Sequence, residues 1–168
     1  MENRIGLFGT CGNSTWRQPF IEKYIDENIP FFNPQIGIGE WHPGMVKEEN
    51  DNLRNNCILL FPITSETTAQ GSLAELGFSV QAALAYNRNR YIITLIDDEC
   101  KDPNATAREI ATSNRSRELV KSKLIHLADN KNSGVFIVND LNKMLDLSIS
   151  LYVQIIQFKK LKLRFCVN

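Results

Sequence analysis

Two glutamates, Glu49 and Glu75, are the residues whose types and spacing could carry out acid–base or nucleophilic chemistry. Glu75 stands in Ala74-Glu75-Leu76-Gly77-Phe78, near the start of an expected helix, Ser72–Asn87, that follows the apolar run Cys57–Pro62. Leu73, Leu76, Gly77, Val80, Ala83 and Leu84 make one apolar stripe of that helix, and Phe78, Ala82 and Ala85 make a second. Glu75 falls outside the first stripe, at an apolar boundary. A local reading competes: Ser72 as N-cap with Glu75 three positions on is the capping-box spacing, which alone would account for a carboxylate there. In the preceding helix, Met45, Val46 and Leu53 define an inward face, and Glu49 falls on the Met45–Leu53 line while Asp51 projects away. A carboxylate amid apolar positions is costly unless it is paired or functional, so Glu49 ranks above Asp51 as a site residue. The competing reading sends Glu49 to solvent or to Arg54. Two carboxylates at one crevice suit glycosyl chemistry: one attacks the anomeric carbon and the other handles a proton or holds the sugar. Spacing allows this use of paired acids beside others.

The elements that must position these acids follow from the alternation of short apolar runs and helical patterns. Strands are expected at Arg4–Phe8, Pro30–Asn33, Cys57–Pro62, Tyr91–Ile96 and Gly134–Val138. Helices are expected near Trp16–Asn28, Gly44–Asn56, Ser72–Asn87, Thr106–Ala128 and Asp140–Phe165. The order predicts one α/β domain over residues 1–168: a doubly wound, mainly parallel five-stranded sheet with helices on both faces, of the flavodoxin or Rossmann type. The long C-terminal helix, near 140–165, should cover the sheet or an oligomer interface. In such sheets a ligand sits outside the carboxyl ends of the strands, where strand order switches. The segments to search are therefore Gly9–Arg17, Asn33–Pro43, Ile63–Glu75 and Asp97–Asn104.

The first of these, Gly9-Thr10-Cys11-Gly12-Asn13-Ser14-Thr15-Trp16-Arg17, joins a strand to a helix. Its glycines let the backbone approach a ligand, and the helix start offers free N–H groups to an anion. Gly9, Thr10, Gly12, Asn13 and Trp16 are candidate substrate contacts, as is Gly71 after the third strand. The loop lacks G-K-[ST] and G-x-G-x-x-G, which disfavours a Walker-type ATPase and a nicotinamide dehydrogenase. The plainer alternative is a tight turn capped by Ser14 or Thr15, with Arg17 meeting a phosphate or solvent. Asn33 and Gln35 leave the second strand where a base could hydrogen-bond. Trp16 and Trp41 could stack on one, although both residue types are common in loops and cores. Asp97-Asp98-Glu99 could hold Mg²⁺ with oxygen ligands, and a solvated acidic turn explains it better.

Bulk properties narrow the classes. Lysine plus arginine equal aspartate plus glutamate, so no basic surplus supports nucleic-acid binding. Cys11, Cys57, Cys100 and Cys166 are scattered, without a C-x-x-C pair or histidines at ligand spacing, so neither a metal nor another cofactor is expected. No signal-peptide pattern opens the sequence, and no run reaches the roughly 18–20 apolar residues of a membrane span. A cytoplasmic location with reduced thiols and no membrane partner is the expectation.

Taken together, the strand and glycine loop Ile5–Trp16, Phe31-Phe32-Asn33-Pro34-Gln35, Glu49, Cys57-Ile58-Leu59-Leu60-Phe61-Pro62 and Ala74-Glu75-Leu76-Gly77-Phe78 resemble the nucleoside 2-deoxyribosyltransferase family. The likeness covers about the first hundred residues and weakens after Asp98. It implies cleavage or transfer at the N-glycosidic bond of a (deoxy)nucleoside or its 5′-monophosphate, through a covalent glycosyl-enzyme on Glu75 with retention. The position matching Glu49 usually carries an aspartate that assists with the base or the sugar. A further aspartate six residues before the nucleophile is replaced here by Ala69, which leaves hydrolysis open beside base exchange. The resemblance also implies a pocket completed by a neighbouring subunit, through Asn114 or Ser116, in a homodimer or larger homo-oligomer. Two other functions fit the same features: a nucleotide-binding or sensing module without turnover, and an NAD-type glycohydrolase.

Overall fold

Five parallel strands form one sheet in the order β2-β1-β3-β4-β5 in the computed structural model, which describes residues 2–12, 14–35, 43–86, 90–129 and 133–165. The strands are β1 (Glu2–Leu7), β2 (Phe31–Phe32), β3 (Asn56–Ile63), β4 (Tyr91–Ile96) and β5 (Val135–Ile137). The helices are α1 (Arg17–Asp26), α2 (Pro43–Asn55), α3 (Gln70–Tyr86), α4 (Ala107–Ala128) and α5 (Leu141–Phe165). This is the expected doubly wound α/β fold, parallel throughout. β2 and β5 are shorter than expected, as edge strands can be because a neighbour pairs with them on one side only. Among the described residues, no helix is long and apolar enough to cross a membrane.

β3 is buried along its whole length, which explains why Cys57–Pro62 reads as a continuous apolar run rather than an alternating one. Its side chains still alternate between two cores. Ile58 and Leu60 face one with Ile5, Leu7, α1 (Phe20, Tyr24) and α5 (Met144, Leu151). Leu59, Phe61 and Ile63 face the other with Phe8, α3 (Leu73, Leu76, Val80, Ala83) and Leu124 of α4. Tyr24 and Ser148 share a hydrogen bond of 2.5 Å across the first core, tying α1 to α5.

Pro62 is unusual for a central strand, because proline donates nothing to a ladder. β1 pairs with β3 only as far as Leu7 and Leu60, so Pro62 lies beyond that ladder. Its carbonyl, on the vacated side, accepts the Thr10 N–H at 2.9 Å. Gly9 makes the approach feasible. Its φ is +106°, and a Cβ there would stand 2.6 Å from the Pro62 carbonyl oxygen.

The switch in strand order lies between β1 and β3, whose following loops diverge to opposite faces of the sheet. The ligand crevice expected for this topology therefore opens between the Gly9 loop and the segment that leads from β3 into α3.

Candidate active site

A cavity of about 370 Å³ occupies that crevice, lined by Phe8, Gly9, Cys11 and Gly12 after β1 and Pro34 after β2. Glu49 of α2 and Thr67, Ala69, Gly71, Ser72 and Glu75 at the start of α3 complete it. Both glutamates thus face one space, although they come from separate helices. Each is half-buried.

The start of α3 removes the local explanation for Glu75. The helix begins at Gln70, two residues before the expected start, so Ser72 lies inside the first turn rather than at the cap. Thr67 Oγ1 accepts the Ala69 N–H at 3.2 Å, and the Ala69 carbonyl accepts the Leu73 N–H at 2.9 Å. Ala69 itself has φ +52°, a left-handed conformation that a residue with a Cβ adopts at a cost of roughly 1–2 kcal/mol. The chain turns sharply there, and the turn places Glu75 on the second helical turn, over the cavity.

Burial first, and then the neighbouring Glu49 charge, push the Glu75 carboxyl up to about 7, against an opposing pull from Arg17. Burial also raises Glu49, again opposed by Arg17. Two carboxylates in one partly desolvated space resist double ionisation. Glu49 has no ion pair with Arg54 among the described residues. On the same helix, Met45 and Leu53 are partly buried, as expected. Val46 instead is 44% exposed, and Asn52 takes the inward place.

The other candidates divide. Gly9, Gly12 and Gly71 line the cavity. Thr10 does not: its fully buried hydroxyl donates to the Pro62 carbonyl at 3.1 Å and accepts the Thr64 N–H at 2.8 Å, stitching the two loops together. Trp16 is a core residue whose Nε1–H donates to the Thr10 carbonyl at 2.9 Å. Asn33 accepts the Gln35 N–H at 3.1 Å, and Gln35 donates to the Gly12 carbonyl at 3.1 Å, so both amides brace the loop. Asn13 and Trp41 lie outside the described residues. Within one chain Asn114 stands elsewhere, accepting the Cys100 N–H at 2.7 Å, and Ser116 donates to its own helix at Thr112. Asp98 of the acidic turn pairs with Lys121.

Arg17 does not reach solvent, one of the two fates considered from sequence. It is 2% exposed, and its guanidinium donates to the carbonyls of Leu7, Gly9 and Thr10, to Gln35 and to the Cys11 sulfur. Cys11, Thr67 and Ser72 are cavity residues that the sequence analysis did not select. The Gly-Thr-Cys-Gly pattern offered a signal for Cys11, whereas Thr67 and Ser72 needed the register of α3. Compared with protein-family models and with curated proteins, the chain matches none.

Proposed function

We propose that this protein cleaves or transfers at the N-glycosidic bond of a nucleoside, with Glu75 as nucleophile and Glu49 as its acid–base and sugar-holding partner. The observation that carries the reading is the convergence of these two carboxylates on one small cavity at the β1/β3 switch point. The volume falls within the roughly 300–1,000 Å³ usual for small-molecule sites. In the first step the ionised Glu75 oxygen forms a bond to the anomeric carbon. The N-glycosidic bond breaks, and its electron pair leaves with the base, which takes up a proton from Glu49. In the second step water or another base attacks the same carbon, gives its proton to Glu49, releases the Glu75 carboxylate and restores the original configuration.

The lining favours a nucleoside over its monophosphate. It includes two carboxylates and, among the described residues, no lysine or arginine side chain. Arg17 is nearby, but its donors are occupied within the protein. Ala69 puts a methyl group where the resembled family carries an acid for the base, which supports hydrolysis over efficient base exchange. It also keeps open a second reading, a nucleotide-binding module without turnover.

Incubation with a panel of deoxynucleosides and their 5′-monophosphates, with and without an acceptor base, tests the proposal by analysis of released bases. Release from deoxynucleosides, with a sugar adduct on Glu75 detected by intact mass, is the expected result. Tight binding without base release would replace it with the binding module.

A further inference from the structure

Arg17 presents a problem that its hydrogen bonds alone do not solve. A guanidinium is costly to bury, and burial is normally offset by a directly paired anion. Here the Nε–H donates to the Leu7 carbonyl at 3.1 Å. Nη1 donates to the Thr10 carbonyl at 2.6 Å and to Gln35 Oε1 at 3.2 Å. Nη2 donates to the Gly9 carbonyl at 3.2 Å and to the Cys11 sulfur at 3.3 Å. All five donors are used, none on a carboxylate, and Cζ lies over the Trp16 ring, 4.5 Å from its centroid. A neutral donor could brace carbonyls without the cost of a charge. Two of its acceptors, Gly9 and Cys11, line the same cavity as Glu49 from α2 and Glu75 from α3, whose carboxyls the Arg17 charge pulls down. The two glutamates are the cavity pair, reached across space rather than by contact.

We propose that Arg17 is a positioning residue: one saturated guanidinium fixes the shape of the first loop and supplies the fixed positive charge that the Glu49–Glu75 pair works against. The inference rests on reading Glu49 and Glu75 as the working pair. Because its donors are committed to the protein, Arg17 cannot swing out to hold a substrate anion without dismantling the loop that carries Gly9 and Gly12. Its charge therefore stays in place whether or not the cavity is filled, which is the property a preorganised site needs.

The test is a ¹³C and ¹⁵N NMR titration of the full chain between pH 5 and 9. It follows the Glu75 and Glu49 carboxyl carbons and the Arg17 Nε–H, with Cys11→Ser as background to remove the thiol. In Arg17→Met the Glu75 midpoint should rise by about one pH unit, and Arg17→Lys should recover part of that shift. An unmoved midpoint in a folded Arg17→Met protein overturns the proposal. Should that variant not fold, the unsubstituted Arg17 decides: its Nε–H resonance should shift with the Glu75 titration and lose that inflection in Glu75→Gln. A resonance flat through the titration overturns the inference equally. A coupled titration in a protein that releases no base would leave Arg17 standing and remove the glycosidic reading, so the two failures are separable.

Discussion

Arg17 and Arg117 are both buried, and each holds one of the two loops that wall the cavity. Arg17, at the start of α1, gathers the carbonyls of Leu7, Gly9 and Thr10. Arg117, in the middle of α4 and fully buried, gathers those of Ile63, Thr64, Thr67 and Asp97 and is itself braced by Ser113. The same chemistry is used twice because irregular backbone at the carboxyl ends of parallel strands leaves carbonyls that must find donors. What differs is the surroundings. Gly9 and Cys11, held by Arg17, line the cavity beside the two glutamates, whereas Asp97 and Glu66, the carboxylates whose charge acts on Arg117, do not line it. One clamp shapes a loop and biases a titrating pair; the other mainly shapes a loop.

The largest effect should separate chemistry from architecture on the Arg17 side. Glu75→Ala is expected to lower kcat by at least about 10³-fold while the unfolding midpoint barely moves. Unchanged turnover in that variant would sink Glu75 as nucleophile. On the other side, Arg117→Met takes a donor from four backbone carbonyls, of which Ile63 keeps the Asp97 N–H and Thr67 the Cys100 thiol, and should destabilise the protein by about 3 kcal/mol in denaturant unfolding. Its Glu75 midpoint should stay where it is. A shift there would erase the distinction between the two clamps.

Glu49→Gln sharpens the electrostatic half of the comparison. Glu75 must be ionised to attack, so kcat/KM should fall as pH drops through about 7, where its carboxyl becomes protonated. Removing the Glu49 charge takes away a contribution that raises Glu75, so this acid limb should move to lower pH, by about one unit. A pH–rate profile reads it directly, and a limb that moves upward contradicts the coupling. The smallest effect belongs to the seam between the two regions. Ala69 lines the cavity with φ +52°, just after the segment that Arg117 and Ser113 restrain. Ala69→Gly should relieve the left-handed strain and stabilise by about 0.5–1 kcal/mol, detectable as a small rise in Tm. A loss of stability would mean that the Ala69 methyl matters more to packing than its backbone geometry does.

The order of elements was legible because it depends on local patterning. β4 matches its expected limits, and the expected strand Cys57–Pro62 falls wholly within β3. Helix starts were less legible. α3 begins before Ser72 because a tertiary turn at Thr67–Ala69 starts it, so the capping-box spacing of Ser72 and Glu75 was coincidental. Val46 repeated the apolar period of α2 and yet faces solvent, since a periodic pattern cannot say how far the sheet edge extends beneath a helix.

Sequence alone therefore determined the α/β class, the segments around the crevice and the pair of glutamates worth testing, all of which follow from residue type and period. Tertiary structure decided which residues line the cavity and which brace it. Thr10, Trp16, Asn33 and Gln35 have the same hydrogen-bonding capacity whether they meet a ligand or a neighbouring loop. Only the packing of the loops that follow β1, β2 and β3 shows that their partners are already in the protein. For Arg17, the same packing buries a residue that the sequence left open to solvent and commits its donors to the loop that lines the cavity.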